Sequence, residues 1–305
     1  MLTIGVYDCH MELRQLEYFL AVADELNFTR AASRVFAAQS TVSAGIRSLE
    51  RELGGALFDR DPHGVRLTVL GRRVIDAARE TLRAGERLHE LADTTGGLRG
   101  QVRVGIFTNL TTIDLPGIMG EFHARHPLVD LLLGPSPSGS TGLAKDVRLG
   151  NVDVAFMGLP GRAPGLLHQE LAVSPFVAVL AEDHPLAGRQ AVSLAALADE
   201  PFIDARAGFG NRVTLDRALD ERGLTRRIST EVSDLGEIPR FVAARLGVAV
   251  LPALTVIPAD GAVTRPLTEH IEWMLSAVSR PRPSAASAAL LRLLAERFAQ
   301  PSVVG

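Results

Sequence analysis

Two short helical patterns lie almost back to back between residues 28 and 53. In the second, apolar side chains recur at steps of four, three and four, which predicts one buried stripe on a helix that opens at Gln39. The first has Thr29 as its predicted N-cap and small residues facing inward. The stripe consists of Val42, Ile46, Leu49 and Leu53, and the inward residues are Ala31, Ala32 and Val35. Because only residues 36–38 separate the two patterns, they predict a helix-turn-helix.

The face opposite the stripe carries short polar side chains and one arginine. Its residues are Gln39, Ser40, Thr41, Ser43, Ala44 and Arg47. Such a face, with nothing apolar to bury, is typical of a helix that reads the major groove of DNA. Gly54-Gly55 is predicted to end this helix through a left-handed residue. Two short apolar runs follow at 56–59 and 65–68, and the turn between them predicts a two-stranded wing with a basic tip.

Helices are predicted on both sides of this motif. One begins at Leu13, and its apolar positions would pack behind the two DNA-binding helices. Those positions are Leu16, Phe19, Leu20, Ala23 and Leu26, whereas the acids Glu12, Glu17, Asp24 and Glu25 are expected to face away from phosphate. After the wing, Thr68 is predicted to cap a long helix that runs to about Thr94.

The long helix carries a seam of apolar and small residues that alternate steps of four and three. The seam consists of Leu70, Val74, Ala77, Thr81, Ala84, Leu88 and Leu91. This spacing is typical of a coiled coil. One helix cannot bury the seam alone, so the pattern favours a homodimer, or a homotetramer built from two dimers, that places two reading helices on a pseudo-palindromic site. The alternative is that the seam packs on its own chain.

The chain changes character after the Gly-rich break at residues 94–100, which is predicted to be a hinge. Strands and helices then alternate, which predicts a parallel α/β sheet with ligands at the carboxyl ends of its strands. Strands are predicted at 101–107, 129–133, 152–157, 176–180, 202–204, 228–232, 248–252 and within 266–279, with helices ending near 122 and at 143–149, 213–221, 238–246 and 285–298. Two sheet units linked near residues 170 and 265 would form a two-lobed clamp.

Composition narrows the possible functions. The chain has 305 residues, 47% of them hydrophobic, so several cores can form, and its formal net charge of -3 excludes a polycation. The segment from Phe28 to Val74 contains eight arginines and four acids. Its local charge of +4 suits reversible binding to phosphate. The single cysteine, Cys9, excludes an intramolecular disulfide and a multi-cysteine metal site. The first ten residues are expected to be an extension or an upstream start, and the absence of a long apolar run or a signal pattern predicts a cytoplasmic protein.

Residues 31–71 resemble the winged helix-turn-helix of LysR-type transcriptional regulators. The matching positions are Ala31-Ala32, 39–43, 46–50, Leu53-Gly54, Leu57-Phe58, Arg60 and 67–71. The match is free of gaps over this whole stretch, which makes it specific. Ala44-Gly45 departs from the long polar residues that are common in the family, and the glycine costs roughly 1 kcal/mol of helix stability. His63 replaces a common arginine, so the wing is expected to bind its groove more weakly or with a dependence on pH.

The resemblance implies a DNA-binding surface and an effector-binding domain. The residues expected to contact DNA are Thr29, Arg30, Arg34, Gln39, Ser40, Thr41, Ser43, Ala44, Arg47, Arg60, His63 and Arg66. The remaining chain resembles the family's effector domain, which is similar to type 2 periplasmic binding proteins, at Asp153-Val-Ala, Asp183-His-Pro-Leu186 and 246–252. By this resemblance the effector is expected to contact Thr108, Asn109, Ser136, Ser138, Leu159, Phe209 and Ser233.

The sequence therefore predicts an α+β multidomain chain. Its parts are an extension (1–10), a winged helix-turn-helix (11–68), a dimerisation helix (69–95) and a two-lobed α/β effector domain (96–300), with lobe I formed by 101–170 and 266–300 and lobe II by 171–265. The expected partners are double-stranded DNA, a small-molecule effector and RNA polymerase. Strand ends and helix N-termini favour a carboxylate as effector, and no cofactor is expected.

Two other classes of function stay open at this stage. An architectural DNA-binding protein would not need the two hundred residues of clamp-like sequence. An α/β enzyme that binds a small molecule would need catalytic groups, but the serines lack a nucleophile-elbow pattern and no phosphate-cradling glycine loop follows the first strand. His123 and His126 have a spacing that can chelate a metal, although they also end a helix before Pro127. The sequence favours a regulator that is not an enzyme.

Overall fold

The computed structural model describes residues 10–61, 64–92, 97–107, 110, 112–299 and 302–303, and of residues 60, 61, 86, 87, 89–92, 302 and 303 the backbone alone. The chain divides into two compact units, Met1–Thr95 and Gly96–Gly305. Each unit has its own apolar core.

The N-terminal unit contains four helices and a hairpin in its described part. They are α1 (Leu13–Glu25), α2 (Phe28–Arg34), α3 (Gln39–Leu53), β1 (Phe58–Asp61), β2 (Gly64–Leu67) and α4 (Val69–Ala92). The predicted start of α3 and its end at Gly54, which is left-handed with φ 74°, are confirmed. Thr68 caps α4 as predicted, because its hydroxyl accepts a hydrogen bond from the Gly71 N–H at 3.0 Å.

The N-cap predicted for α2 was wrong. The helix begins one residue before Thr29, and the side chain of Asn27 accepts hydrogen bonds from the backbone N–H groups of Thr29 and Arg30. Asparagine is as good an N-cap as threonine, and its place before Phe28 lets that phenylalanine enter the core at 8% exposure. Thr29 is left exposed on the first turn of the helix.

The core of this unit is the apolar stripe of α3 packed on α1. Val42, Ile46 and Leu49 are fully buried. The glycine that weakens α3 has a packing reason: a Cβ added at Gly45 would lie 2.7 Å from Cδ2 of Tyr18 on α1. The absence of a side chain at Gly45 therefore lets the Tyr18 ring lie directly against the helix, and this contact offsets the loss in helix propensity.

Two faces of α4 have different surroundings. One face packs on its own unit: Ala78 is buried, and a Cβ at Gly85 would lie 2.8 Å from Leu13 of α1. The predicted seam lies partly on a second face, where Ala77 and Thr81 are exposed and Leu88 is 69% exposed. Leu70 and Val74 pack against the core of their own unit, Ala84 is half-buried, and the side chain of Leu91 lies outside the described part.

The C-terminal unit is built around one long strand. Its elements are β3 (Gly100–Ile106), α5 (Leu115–Arg125), β4 (Val129–Pro135), α6 (Gly139–Leu149), β5 (Val154–Met157), β6 (Leu167–Ala181), α7 (Leu194–Leu197), β7 (Pro201–Ala205), α8 (Gly210–Asp220), β8 (Arg227–Val232), α9 (Ile238–Ala243), β9 (Ala249–Pro252), β10 (Ala262–Pro266), β11 (Glu272–Ser279), α10 (Ala285–Arg297) and β12 (Ser302–Val303). Short 3-10 turns lie at Leu235–Glu237 and Ala253–Thr255.

The prediction of a purely parallel sheet was wrong. β3 is parallel to β4 and β5, and β7 is parallel to β8, but β6 pairs antiparallel with β9, β10 and β11. The first part of β6 pairs with β11, and its last residues pair with β9 and β10. The chain thus passes from one lobe to the other within β6 and returns between β10 and β11, and the two opposed crossings make the sheet mixed.

An added cap at the start of α3 is expected to stabilise the N-terminal unit. Ala38 has the extended backbone of an N-cap residue but no side chain that can accept a hydrogen bond. Ala38→Ser should raise the free energy of opening of α3 by about 1 kcal/mol, measured by native-state hydrogen exchange of its amides. As a control, Ala44→Ser on the exposed interior of the same helix should lower that free energy slightly, because serine is the poorer helix former. Equal protection in Ala38→Ser and the unsubstituted chain would contradict the prediction.

Candidate nucleic-acid interface and interlobe site

The exposed side of α3 carries five of the six predicted reading residues. Gln39, Ser40, Thr41, Ala44 and Arg47 are all exposed. They lie opposite the three fully buried residues of the stripe, whereas its fourth residue, Leu53 at the end of the helix, is 37% exposed. No large apolar side chain interrupts them between the start of the helix and Arg47. The surface can therefore enter a groove without uncovering the core.

Ser43 is the exception, and its predicted place on the exposed face was wrong. It is 5% exposed, and its hydroxyl accepts a hydrogen bond from Nε2 of Gln39 at 3.1 Å. At 100° per residue, position 43 lies at the border of the buried stripe, where a small serine fits against the core. Ser43 thus holds the Gln39 amide group, and the carbonyl end of that amide is left to accept from a partner.

The arginines predicted to bind phosphate fall into two groups. The first two lie on α2 and are already paired: Arg30 contacts Glu25, and Arg34 contacts both Asp24 and Glu25, at 3.2 to 3.6 Å. Asp24 also binds Arg79 of α4 at 3.0 Å. The acids at the end of α1 were expected to face away from phosphate; in the structure they neutralise the guanidinium groups of α2.

The second group is free of such pairs. Arg47 on α3 and Arg66 on β2 are exposed, and neither forms an ion pair within the described part of the chain. Arg66 lies opposite Asp59 in the antiparallel β1–β2 register. The side chain of Arg60 and all of His63 lie outside the described residues. The positive charges of Arg47 on α3 and Arg66 on the wing are therefore not neutralised by a neighbouring acid.

Two helices in the C-terminal unit begin where the two lobes meet, a boundary that we call the interlobe seam and that is distinct from the apolar row on α4. α6 of lobe I starts after Ser138, and α8 of lobe II starts after Phe209. Both the N–H and the hydroxyl of Thr141 on α6 donate to the carbonyl oxygen of Gly208, at 3.0 and 2.8 Å. Since the positive ends of both helix dipoles lie at this seam, it can stabilise a negative charge.

The lobes touch through backbone at one point of the seam. A Cβ added at Gly210 would coincide with the carbonyl oxygen of Gly158. The N–H of Gly158 in turn donates to the hydroxyl of Ser140 at 3.1 Å, and Ser140 is 2% exposed. The cavity beside this contact measures only about 10 Å³, which is room for about one water molecule. The seam is closed to anything larger.

The predicted effector residues are only partly brought together. Ser136 and Phe209 are buried, Phe209 lines the seam cavity, and Ser138 precedes α6 at the surface. Leu159 packs instead into a small core of lobe I, and Ser233 is exposed. Thr108 and Asn109 lie outside the described residues.

Several residues of the seam were missed by the sequence analysis. Ser140, Asn211, Thr255 and Trp273 line its cavity together with Phe107 and Phe209. Ser140 and Asn211 had a usable signal, because each is a polar residue in the first turn of a helix that follows a strand. Thr255 and Trp273 had none, since they come from a 3-10 turn and a strand far along the chain.

A larger cavity lies apart from the interlobe seam, between α5, the end of α10, β6 and Leu254. It measures about 370 Å³, and most of its lining is apolar, including Ile113, Ile118, Leu171 and Phe298. Arg297 also lines it, and its Nε lies 3.1 Å from Glu121. This volume lies in the range of small-molecule pockets.

A buried ion pair supports α8 behind the seam. Arg226 Nη2 lies 2.6 Å from Oδ2 of Asp204 on β7 and 2.6 Å from Oδ1 of Asp216 on α8. Burial raises the pKa of Asp204 to about 6, against the opposing effect of the Arg226 charge and of the hydrogen bond from the Ala205 N–H. The amide of Asn211, which lines the seam, lies 3.4 Å from the same carboxylate.

The described residues contain neither a cluster suited to a metal ion nor a helix that could span a membrane. No cluster of three or more His, Cys, Asp or Glu side chains suited to a metal occurs among the described residues. His126 packs its ring 5.1 Å from Phe122, at the end of α5. Within the described chain, no helix combines the length and the apolar character that crossing a bilayer requires.

The Asp204 carboxyl group is expected to give the C-terminal unit a distinct pH dependence. Since its pKa of about 6 in the folded chain exceeds the ordinary 3.8, its contribution to stability is fully present below about pH 3.8 and is lost as the pH rises through 6. Between pH 5 and 7 the loss is about 1 kcal/mol. Asp204→Asn lacks this titration. From pH 5 to pH 7 the free energy of unfolding of the unsubstituted chain, followed by Trp273 fluorescence, should therefore fall by about 1 kcal/mol more than that of the variant. Parallel pH profiles for the two proteins would contradict this.

Two family descriptions cover nearly the whole chain. Residues 13–72 match the bacterial regulatory helix-turn-helix protein of the lysR family, and residues 95–299 match the LysR substrate binding domain. Among similar proteins, the transcriptional regulator ShiR of Corynebacterium glutamicum is 35% identical over 87% of this chain and 93% of its own. The RuBisCO operon transcriptional regulator of Allochromatium vinosum is 33% identical over 81% of each chain, and OxyR of Escherichia coli is 31% identical over 84% and 85%.

Solved structures agree at the level of the whole chain. A full-length OxyR variant from Pseudomonas aeruginosa has a TM-score of 0.75 at 26% identity, with 97% of both chains covered. CbnR in complex with its target DNA has a TM-score of 0.60 at 21% identity, over 94% of this chain and 99% of that one, which shows the shared fold. A winged helix-turn-helix with a free polar face, joined to a two-lobed α/β unit, is thus found in both sequence and structure. The chain belongs to the LysR family, and it is a DNA-binding transcriptional regulator with an effector-binding domain.

Proposed function

We propose that the exposed face of α3 enters the major groove of the operator and that β1–β2 contact the neighbouring phosphates. The observation that carries this proposal is the contrast between the two sides of one helix: Val42, Ile46 and Leu49 are fully buried on one side, and an exposed row runs from Gln39 to Arg47 on the other. Gln39 is held by Ser43 and is the residue best placed to read a base edge. Ala44 offers a methyl group to a thymine.

The free side of α4 supports the proposal of a symmetric homodimer. Ala77, Thr81 and Leu88 leave an exposed strip of small and apolar groups beside the face that packs on α1. Pairing two such strips would bury them and bring two reading helices to a pseudo-palindromic site. A pair of such dimers would form the tetramer. The proposal keeps the predicted division of the chain into an extension (1–10), a DNA-binding domain (11–68), a dimerisation helix (69–95) and a two-lobed effector domain (96–300).

The effector is proposed to act by parting or tightening the interlobe seam. Two helix N-termini and the Thr141 contact to Gly208 lie there, which favours a small carboxylate. A change of angle between the lobes would alter the spacing of the DNA-bound pairs and the access of RNA polymerase. One relative is named as a hydrogen peroxide-inducible activator. A peroxide response through two cysteines of one chain is excluded here by the single Cys9.

Binding rather than catalysis is the proposed activity of the C-terminal unit. Its similar proteins are transcriptional regulators. The buried polar groups at the seam, such as Ser140 and Thr255, are engaged in hydrogen bonds to backbone, which suits a structural or ligand-holding role. A purely architectural DNA-binding protein would not require this seam.

Removal of arginines is expected to separate phosphate contacts from base reading. Arg47→Ala and Arg66→Ala should weaken binding to all duplexes and flatten the log–log salt dependence by about 1 each, because each removes one unpaired charge. Arg30→Ala should change the slope less, since Glu25 already neutralises that group. The measurement is a salt titration of binding by the full-length chain, with a duplex selected from a random pool and with unselected duplexes.

The same titration tests the role of Gln39. Gln39→Ala should lower the ratio of selected to unselected affinity roughly tenfold or more, and leave the salt slope unchanged. An equal loss of affinity for both kinds of DNA would show that Gln39 does not read bases.

A methyl group in the seam should prevent effector binding there. Small mono- and dicarboxylates are screened for a rise in the melting temperature of the full-length chain, because a ligand that binds the folded state stabilises it by mass action. Gly210→Ala would force the lobes apart at Gly158 and should abolish the rise. Gly188→Ala, at an exposed position with no neighbour within 4 Å, should keep it.

Retention of the shift in Gly210→Ala would move the site away from the seam. The cavity beside Arg297 would then be the place to substitute next. No shift with any carboxylate in the unsubstituted chain would remove the proposed chemical class.

A further inference from the structure

Phe36 is the most exposed large apolar side chain in the described part of the chain. It lies in the turn between α2 and α3 and is 96% exposed. An aromatic ring of this kind can bury about 150–250 Å² when it is covered. Single exposed apolar residues need no explanation in general, but here exposure coincides with a second cost.

That cost is the backbone conformation. Phe36 has φ 52°, in the left-handed region that glycine adopts freely and L side chains rarely do. Among the described residues, two other non-glycine residues share this feature. Arg245 forms an ion pair with Asp183 at 2.6 Å, and Leu26 is about half covered. Phe36 alone of the three has neither a polar partner nor partial burial. Within the described chain, no contact of its side chain therefore offsets the cost of the left-handed backbone.

The turn holds Phe36 next to the reading face. The Phe36 N–H donates to Ser33 and the Ala37 N–H donates to Ala32, at 3.3 and 2.9 Å, so the turn is fixed by backbone hydrogen bonds. Phe36 precedes Gln39 by three residues, which limits the distance between their Cα atoms to roughly 10 Å. Ser40, on the first turn of α3, is exposed as well. The ring therefore adjoins the surface that DNA would cover.

We propose that Phe36 is a specificity-determining residue that packs its ring on the methyl group of a thymine at the edge of the operator. The thymine methyl is the apolar group that the major groove presents, and phenylalanine is one of the side chains that contact it. This inference rests on the proposed insertion of α3 into that groove. A residue with a strained backbone and no stabilising side-chain contact in its own chain is expected at a functional surface.

The contact has a signature that charge contacts lack. No ion is released when a ring covers a methyl group, so the affinity should depend on Phe36 equally at all salt concentrations. A deoxyuridine in place of the contacted thymine removes only that methyl group. The loss caused by deoxyuridine should therefore occur in the unsubstituted protein and vanish when the ring is absent.

The test uses the full-length chain and a duplex that it selects from a random pool. Phe36→Ala keeps the strained backbone and removes the ring; it should bind that duplex about 5- to 20-fold more weakly with an unchanged salt slope. Each thymine of the duplex is then replaced singly by deoxyuridine. One position in each half-site should weaken the unsubstituted protein about 3- to 10-fold and leave Phe36→Ala unaffected.

The controls distinguish this inference from the proposal on which it rests. Phe241→Ala removes another exposed aromatic, on α9 of the other unit, and should leave DNA affinity unchanged. If Gln39→Ala loses specificity but Phe36→Ala binds normally, α3 still reads DNA and the inference about Phe36 is overturned. If both variants bind normally, the insertion of α3 fails as well. A loss in Phe36→Ala that no deoxyuridine position reproduces, or that follows a loss of dimer by sedimentation, also overturns the thymine contact.

Discussion

The N-terminal unit depends on the close contact between the ring of Tyr18 and the backbone of α3 at Gly45. It sets the distance between α1 and α3, and the buried stripe of Val42, Ile46 and Leu49 completes the packing. Because the core side of α3 is fixed in this way, its opposite side is presented at a defined orientation. A reading surface needs such fixation, since a groove is recognised by side chains held on a rigid element.

Electrostatics in this unit are local rather than global. The count of +4 between Phe28 and Val74 omits Asp24 and Glu25, which pair with Arg30 and Arg34 from the preceding helix. Arg47 and Arg66, in contrast, keep an unpaired charge. Exposed ion pairs of this kind contribute little to stability. Their larger effect is to decide which arginines are available to phosphate. A charge count that starts at Phe28 cannot show this effect, because the two acids precede that residue.

Much of the fold could be predicted from the spacing of hydrophobic residues and from the residues that begin or end helices. The limits of α3, the cap at Thr68 and the strand–helix alternation came from hydrophobic steps and from glycine, all of which act locally. The errors arose where distant segments decide: the antiparallel pairing of β6 with β11 joins residues about a hundred positions apart. Ser43 and Asn27 show a finer limit, because which small polar residue turns inward or caps a helix depends on competition between neighbours that differ little in propensity. The seam residues Thr255 and Trp273 became visible only once the lobes were in place.

The way α4 is anchored has a mechanical consequence. The middle of this 24-residue helix is fastened to α1 through Ala78 and the Arg79–Asp24 pair, so the helix and the exposed face of α3 turn as one rigid lever. A helix of this length spans roughly 36 Å. A tilt of about 5° over that length displaces one end by about 3 Å, which is close to the roughly 3.4 Å rise of one base pair. With α3 in the groove as proposed, a small rotation imposed at the far end of α4 would thus be enough to shift α3 by about one base pair along the duplex.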